Sequence, residues 1–257
     1  MPTSTNRIKL FLLRCVPALL LLVFWQLAVR GNTRLIFFFG SPSKIASYFM
    51  SRLADGSLVT DFTTTLSEVV VGFLIGNLLG TGIGLALWFS RTVFLVARPY
   101  IIALGSAPLI TLAPLLIIWF GTGFVSKVLI VAFSTMFVAL LQAYSGASEV
   151  NPQYLKLMQT FRASKMQTFR KVIAPAAIVW VMAAFRMNIG FAILGAFLGE
   201  FISSSQGLGH LIVVASGLFD ISLVFCAIFL LIGMALALTY ILSHVERPMK
   251  HLIVKYF

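Results

Sequence analysis

Long apolar runs fill most of this chain, and short polar segments separate them. Six of the runs are long enough to cross a bilayer as helices. They extend from Leu10 to Val29, Thr64 to Phe89, Tyr100 to Phe120, Val125 to Tyr144, Ala176 to Glu200 and Phe219 to His244. Between the third and fourth runs lies only a Gly-Thr-Gly sequence at 121–123, which predicts a tight turn. The pattern therefore predicts an all-α polytopic membrane protein with six transmembrane helices.

The most polar interruption lies between the fourth and fifth runs, and it begins with Asn151 and Pro152. Asparagine is a favoured N-cap and proline is favoured at the first helical position, so a helix is predicted to start here. The large apolar residues that follow recur at i, i+3, i+4 and i+7, and they are Tyr154, Leu157, Met158 and Phe161. This spacing places them in one stripe on a short helix.

A second short helix is predicted directly after this one. Ser164 is a good N-cap for a helix from Lys165 to Ile173, which we expect to stop before Pro175. A pair of amphipathic helices held between two membrane spans presents a docking surface to a partner in the aqueous phase. Spacing alone is equally compatible with an interfacial linker that has no partner.

The amino-acid composition agrees with a membrane protein, since 60% of the residues are hydrophobic and 10% are charged. A net charge of +12 would indicate nucleic-acid binding in a soluble protein. Here no polar stretch is both basic and interleaved with aromatic residues, so we expect no nucleic-acid partner. Cys15 and Cys226 lie inside apolar runs near opposite ends of the chain, which matches no metal or redox spacing. We therefore expect neither a metal nor a cofactor.

The uneven distribution of basic residues orients the six predicted helices by the positive-inside rule. With a cytoplasmic N-terminus, 13 of the 19 Lys and Arg residues fall on the cytoplasmic side and 5 on the outer side. The cytoplasmic set is Arg7, Lys9, Arg14, Arg91, Arg98, Lys156, Arg162, Lys165, Arg170, Lys171, Arg247, Lys250 and Lys255. The outer set is Arg30, Arg34, Lys44, Arg52 and Lys127, and Arg186 lies within a span. Both termini and the amphipathic helix pair are therefore predicted to be cytoplasmic.

Small residues and prolines mark two of the predicted spans. Gly72, Gly76 and Gly80 recur every four residues in the second span, a spacing that favours close packing against another helix. Pro108 and Pro114 lie in the third span, where each removes a helical hydrogen bond and favours a kink. Such a kink serves either as a hinge beside a pathway or only for packing.

Three polar residues interrupt the fifth span. Arg186 lies ten residues beyond Ala176, about 15 Å along a helix, and so in mid-membrane, where an ionised side chain should face protein or water. Asn188 follows it, and Glu200 ends the span. Arg186 and Glu200 are about 21 Å apart along the helix and cannot pair within it. Each residue therefore requires another partner, either as part of a pathway or as a tie between helices.

No catalytic constellation emerges from the sequence. A nucleophile elbow, a zinc-protease motif and a phosphate-binding glycine loop are all missing from it. We therefore expect a protein that is not an enzyme. An outer segment between Arg30 and Phe62 has apolar residues at near-helical spacing and is expected to form a short helix on the membrane surface.

Several motifs, in their order along the chain, resemble those of bacterial ABC-importer permeases of the binding-protein-dependent type. The nitrate, sulfonate, taurine and bicarbonate branch is the most similar. The motifs are PLITLAPLLIIWFGTG at 108–123, Ser126-Lys127, Ala163-Ser164, FRKVIAPA at 169–176, Phe185-Arg186, Gly190, Gly199-Glu200-Phe201 and QGLG at 206–209. The resemblance extends over most of the chain. In the cytoplasmic loop this chain departs from the Glu-Ala-Ala and glycine that such permeases usually have, with Lys156-Leu157-Met158 and Arg162 instead.

The resemblance implies a type I ABC importer fold. Its transmembrane core would cover residues 63–245 with a coupling loop at 146–175. An N-terminal span and extracytoplasmic loop helix at 1–62 would precede the core, and a cytoplasmic tail at 246–257 would follow it. It also implies a multi-pass protein of the bacterial inner membrane, a pore formed by two copies and an external solute-binding protein. A cytoplasmic ABC ATPase dimer would hold the coupling helix through Tyr154, Leu157, Met158, Phe161 and Arg162.

Two other functions remain to be compared with this one. A self-contained secondary transporter would transport solute without ATP, but it usually has inverted repeats and interrupted helices, which the sequence does not display. An intramembrane enzyme would require paired catalytic side chains at membrane depth. The transported solute is not identified by this sequence, because in such importers selectivity lies largely with the separate binding protein.

Overall fold

The computed structural model describes the backbone of residues 4–256 and the side chains of residues 16–246, and over this part of the chain it is helical without strands. The first six helices are α1 (Ser4–Val29), α2 (Thr33–Phe39), α3 (Pro42–Ala54), α4 (Ser57–Leu87), α5 (Arg91–Gly105) and α6 (Leu109–Phe120). The remaining six are α7 (Phe124–Ser148), α8 (Pro152–Thr160), α9 (Lys165–Thr168), α10 (Ala174–Ile202), α11 (Leu208–Gly217) and α12 (Ile221–Tyr256).

Four helices in the described residues are long and apolar enough to span a bilayer. They are α4, α7, the continuous helix Lys165–Ile202 and the Ile221–Glu246 part of α12. The bent pair α5 and α6 makes a fifth if it is counted as one span. The described apolar part of α1, Val16–Val29, is shorter. The described residues thus contain four or five candidate spans, and the six of the sequence prediction are not confirmed.

The predicted third span, Tyr100 to Phe120, is not one continuous helix. The chain bends by 89° between α5 and α6, so this segment is a broken span or a re-entrant loop. Pro108 lies at the break as the N-cap of α6. Proline has no N–H to donate and disfavours helical geometry at the preceding residue, which explains why α5 ends before it. Pro114 lies inside α6, which continues to Phe120.

The second loop helix begins as predicted but does not end before Pro175. Ser164 accepts a hydrogen bond from the Gln167 N–H, and Gln167 bonds back to the Ser164 N–H in a capping box. The helix then passes through one π turn, Phe169–Ile173, and continues as α10. In this turn the Ala174 N–H bonds to the Phe169 carbonyl. The wider turn carries the helix past Pro175, which has no N–H to donate.

Helices α4, α7 and α10 form the centre of the molecule, and glycines allow α4 to approach α7 closely. Gly72, Gly76 and Gly80 all face α7, and an added Cβ on any of them would overlap its atoms. At Gly72 the added atom would lie 2.5 Å from the Val131 Cβ. Small residues at a spacing of four thus bring two apolar helices together backbone to backbone.

Helix α3 packs against α12 at one end of this core. Its Ser41 N-cap accepts from the Lys44 N–H, and the Ser41 N–H donates to the Ser222 Oγ at 3.2 Å. Tyr48 and Phe49 pack against the buried cluster that contains Cys226. The short helix that the sequence predicts in this segment is therefore present, and it lies against α12.

Candidate functional site

The loop between α7 and α10 forms a short surface helix, α8. The Asn151 side chain accepts from the Gln153 N–H at 2.9 Å, and Pro152 occupies the first turn, as the sequence predicts. The helix ends at Thr160, so Phe161 is its C-cap rather than a residue of its last turn. These caps define a nine-residue helix between two membrane helices.

The apolar stripe of α8 divides into a buried part and an exposed part. Met158 packs with Leu155 against a cluster that includes Val150 and Ile173, which fixes the helix to the body of the protein. The exposed fractions of the other three residues are 37% for Tyr154, 51% for Leu157 and 73% for Phe161. We call these three the α8 apolar surface. Large exposed apolar residues in a cluster are typical of an interaction site.

Arg162 adopts a left-handed backbone conformation with φ 51°. Its N–H bonds to the Gln159 carbonyl at 2.8 Å, and the Ala163 N–H bonds to the Met158 carbonyl at 2.9 Å. Glycine is favoured in this conformation because any Cβ is crowded there. The turn after α8 is therefore formed at some cost by an arginine with an exposed side chain.

The second half of the loop is attached to the end of α4. The Lys165 ammonium donates to the Phe89 carbonyl at 2.5 Å and lies 5.7 Å from the centre of the Trp88 ring. The Phe89 and Phe169 rings are 4.8 Å apart. Because α9 continues into α10, this loop is attached to both α4 and α10.

A buried polar network lies near the opposite end of the core, around Glu200. This carboxylate is 1% exposed and accepts from the Thr65 hydroxyl at 2.7 Å and from the Gly209 N–H at 2.6 Å. The Leu208 N–H donates to the Thr65 Oγ at 2.8 Å. Glu200 and Thr65 thus satisfy the free N–H groups at the start of α11, where negative charge is favourable.

Two further charged residues are buried in this region, and neither was among the candidate site residues predicted from the sequence. Glu68 of α4 and Lys127 of α7 are each 2% exposed. The sequence prediction placed Lys127 on the outer side, and in the structure its side chain is buried. Its ammonium donates to the Thr122 carbonyl, which closes the turn before α7. A charge inside an apolar run is the sequence signal that would have identified both residues.

Asn188 lies at the centre of the core, where it joins three helices. Its amide donates to the Asn77 Oδ1 at 2.6 Å and to the Thr135 carbonyl at 2.9 Å. Asn77 in turn donates to the Phe73 carbonyl at 2.8 Å. Asn77, Thr135 and Asn188 are fully buried. Asn188 therefore forms a contact between α4, α7 and α10.

Arg186 forms an ion pair with Glu246 of α12. Its Nε donates to one carboxylate oxygen at 2.8 Å, and its Nη2 donates to the other. The Arg186 side chain is 48% exposed, whereas that of Glu246 is 1% exposed. Arg186 thus ties α10 to α12 and keeps part of its guanidinium on the surface. The partner that the sequence analysis required is now identified, and Glu200 lies in the separate network described above.

The structure does not bring all the candidate residues together. The α8 apolar surface, the Arg186–Glu246 pair and the Glu200 network are separate groups. Pro108 lies at the bend before α6, and Pro114 lies within that helix.

Comparisons with known proteins agree on one protein family. Residues 76–251 match the family described as "Binding-protein-dependent transport system inner membrane component". The chain is 32% identical over 232 residues to the riboflavin transport system permease protein RibX of Chloroflexus aurantiacus, covering 90% of this chain and 87% of that protein. It is 30% identical over 221 residues to a probable ABC transporter permease protein of Haemophilus influenzae, covering 86% and 89%.

The taurine transport system permease protein TauC of Escherichia coli is a further relative, 25% identical over 202 residues, covering 76% of this chain and 72% of that protein. Among solved structures, an inward-facing MetNI methionine ABC transporter chain has a TM-score of 0.68 at 16% identity. That match covers 76% of this chain and 97% of the other. At this identity the structural similarity shows a shared fold.

Proposed function

We propose that α8 couples this chain to a separate cytoplasmic ATPase. The chain belongs to the family of binding-protein-dependent transport system inner membrane components, and it is therefore the permease subunit of an ABC importer. The observation that carries this proposal is the α8 apolar surface, Tyr154, Leu157 and Phe161, exposed on a helix that Met158 anchors. An exposed apolar stripe on a short helix fits a hydrophobic groove on a partner. ATP hydrolysis resides on the partner chain.

The basic residues around α8 would orient the ATPase. Lys156 and Arg162 are both exposed in this loop, and Lys171 is exposed beyond α9. Charges at the rim of an interface steer association and fix its register more than they add affinity. ATP-driven closure of the ATPase would displace α8, and the continuous helix from Lys165 to Ile202 would transmit this motion in alternating access.

The rest of the assembly follows from the same family. Two copies of the chain would form the pore, and an external binding protein would deliver the solute. We propose six spans with both termini in the cytoplasm of a bacterial inner membrane, with α1 as the first span and α5–α6 together as the third. The core would comprise residues 63–245, with 1–62 preceding it and 246–257 as the tail.

The proposed solute is a small organic or oxyanionic nutrient, such as a sulfonate, nitrate or a vitamin-precursor heterocycle. The half-exposed Arg186 supports an anionic group, although Glu246 already compensates part of its charge. Uptake measured with the native binding protein would test this proposal. Transport of a peptide, a metal ion or a sugar alone would contradict it.

Aspartate substitutions in the α8 apolar surface test the coupling proposal. Leu157→Asp combined with Phe161→Asp would bury two unpaired charges in the interface, each at a cost of several kcal/mol. The expected result is normal membrane insertion, with loss of ATPase copurification and of solute-stimulated ATP hydrolysis. Gln159→Asp adds the same charge to the exposed side of α8 away from the stripe and is the matched control.

The outcome that contradicts the coupling proposal is retention of the ATPase by the double variant at wild-type affinity. The α8 helix would then be an interfacial linker. Lys156→Glu should be milder than the double variant, because Lys156 lies beside the apolar stripe and remains exposed. Reporter fusions after Lys255 and at Gly56 should report opposite sides of the membrane, and same-side signals would contradict the proposed topology.

A further inference from the structure

The buried Glu200 network contains more acids than bases. Glu68 of α4, Glu200 of α10 and Lys127 of α7 are each at most 2% exposed. Glu68 lies three residues after Thr65 on α4, so it is on the same buried face of the helix as the hydroxyl that donates to Glu200. Its carboxyl group is close enough to Glu200 and to Lys127 for the three groups to interact electrostatically. With all three groups ionised, the cluster would bury a net charge of −1. Such a charge is strongly disfavoured in an apolar interior.

The hydrogen bonds distinguish the two acids. Both oxygens of Glu200 accept from donors of the protein, one from the Thr65 hydroxyl and one from the Gly209 N–H. A carboxylate accepts hydrogen bonds in this way. The Glu68 Oε2, in contrast, is fully buried and has no hydrogen-bond partner. An ionised carboxylate in that position would leave a charged oxygen unsatisfied, whereas a protonated acid has an O–H to donate.

The Lys127 ammonium does not resolve the imbalance by direct pairing. It donates to the Thr122 carbonyl. Among the residues that the structure describes, the one ion pair is between Arg186 and Glu246, so no described carboxylate is within ion-pair distance of Lys127. One proton on the acid pair leaves one carboxylate and one ammonium, and the cluster is then neutral.

We propose that Glu68 and Glu200 form a proton-binding site, in which Glu68 carries one proton and donates it in a hydrogen bond to the Glu200 carboxylate. The bound proton joins α4 to α10 and, through the Gly209 N–H, to the start of α11. Loss of the proton places two buried carboxylates side by side, and their repulsion separates these helices. The junction is therefore stable only while the proton is bound.

The surrounding groups do not replace this proton. Asp61 lies two turns before Glu68 on α4, and its carboxylate accepts a hydrogen bond from the Gly207 N–H at 2.9 Å. His210 lies in the first turn of α11 and is half-buried. From α12 the neighbouring side chain is Met234, which packs in the apolar cluster with Val69 and Leu208. Lys127, discussed above, is the cation that α7 contributes.

The first test is the pH dependence of unfolding for the purified full chain in detergent micelles. Glu68 is protonated in the folded chain, whereas a glutamate in the unfolded chain is ionised at neutral pH. Unfolding therefore releases one proton from this site. The unfolding equilibrium constant of the wild type should therefore increase about tenfold per pH unit, between pH 6 and 8, relative to Glu68→Gln. In this variant the amide still donates to Glu200 and has no proton to lose. Equal pH slopes for the two proteins would overturn the proposal.

Glu200→Gln is the matched substitution at the other member of the pair. It places an amide N–H against the Thr65 hydroxyl or the Gly209 N–H, so it should destabilise the protein at every pH. Glu68→Gln should be at least as stable as the wild type at pH 6, because the variant has no proton to release on unfolding. If both glutamine variants were equally destabilised there, Glu68 would be an ionised acceptor like Glu200, and the proposal would fail.

Infrared spectroscopy gives a second, independent reading of the proton. The wild type should have a protonated carboxylic-acid carbonyl band at neutral pH that shifts in D₂O and is missing from Glu68→Gln. Identical carbonyl regions in the two spectra would contradict the assignment. Because neither measurement depends on transport or on the ATPase, their outcome is separate from that of the coupling proposal.

Discussion

Adding a single methyl group to the interface between α4 and α7 tests how tightly that interface is packed. At Gly76 the added Cβ would overlap the Thr135 Oγ1 and the Ala132 carbonyl oxygen. At Gly82, on the same helix, nothing lies within 4 Å of the added atom. Gly76→Ala and Gly82→Ala are therefore a matched pair that differs in what the methyl group meets.

The difference between the two variants isolates the packing cost. Alanine gains about 1 kcal/mol over glycine in a helix interior, and this gain is common to both positions. Overpacking costs about 1–3 kcal/mol, or more where backbone must move. Thr135 already bonds to the Val131 and Ala132 carbonyls, at 3.1 and 3.2 Å, so it cannot rotate away without losing these bonds. We therefore expect Gly76→Ala to be less stable than Gly82→Ala by about 3 kcal/mol.

The assay is reversible unfolding of both variants by denaturing detergent in otherwise identical mixed micelles. Gly82→Ala should equal or exceed the wild type in stability, whereas Gly76→Ala should unfold at a lower denaturant fraction. A difference of less than about 1 kcal/mol would refute the reasoning, since it would mean that α4 and α7 separate without loss.

Three further predictions concern single side chains. Arg162→Gly should raise stability by about 1 kcal/mol in the same unfolding assay, since glycine adopts a positive φ without strain; a loss would indicate that the guanidinium makes a more important contact. Arg186→Ala removes both hydrogen bonds to the buried Glu246 and should lower the unfolding free energy by about 1.5–3 kcal/mol, since the arginine is half exposed, and wild-type stability would contradict this role for the pair. The hydrogen bond from Tyr48 to the Asp220 carboxylate, together with burial, raises the pKa of Tyr48. In a spectrophotometric titration one tyrosine should therefore ionise above the usual range, and Asp220→Asn should move its pKa back toward about 10; an unchanged titration would contradict the assignment.

Local signals in the sequence predicted the ends of the helices well. Asn151, Ser164 and the glycines at 121 and 123 mark boundaries that the structure contains, because caps and turns depend on a few neighbouring residues. The same local reasoning was wrong at Pro175, where a π turn carries the helix onward. At the third span the prediction was incomplete: Pro108 was expected to favour a kink, and the structure has an 89° bend there that divides the segment into two helices.

Long-range pairs could not be predicted from one sequence. Arg186 and Glu246 are 60 residues apart, and Thr65 and Glu200 are 135 residues apart. Nothing in the local pattern indicates which helix a buried charge faces. The position of Glu68 inside an apolar run was visible in the sequence, but its proximity to Glu200 depends on how α4 packs against α10.

The π turn at Phe169–Ile173 determines the rotational phase between the cytoplasmic loop and the membrane helix. A π turn holds one residue more than an α-turn over the same rise, and one residue corresponds to about 100° of rotation about the helix axis. If the same residues formed a regular α-helix instead, α9 and α8 would be rotated by about 100° around its axis. Two permeases with identical surface side chains on α8 could thus present them in different directions. The compatibility of a permease with a given ATPase then depends on helical register as well as on the residues at the contact.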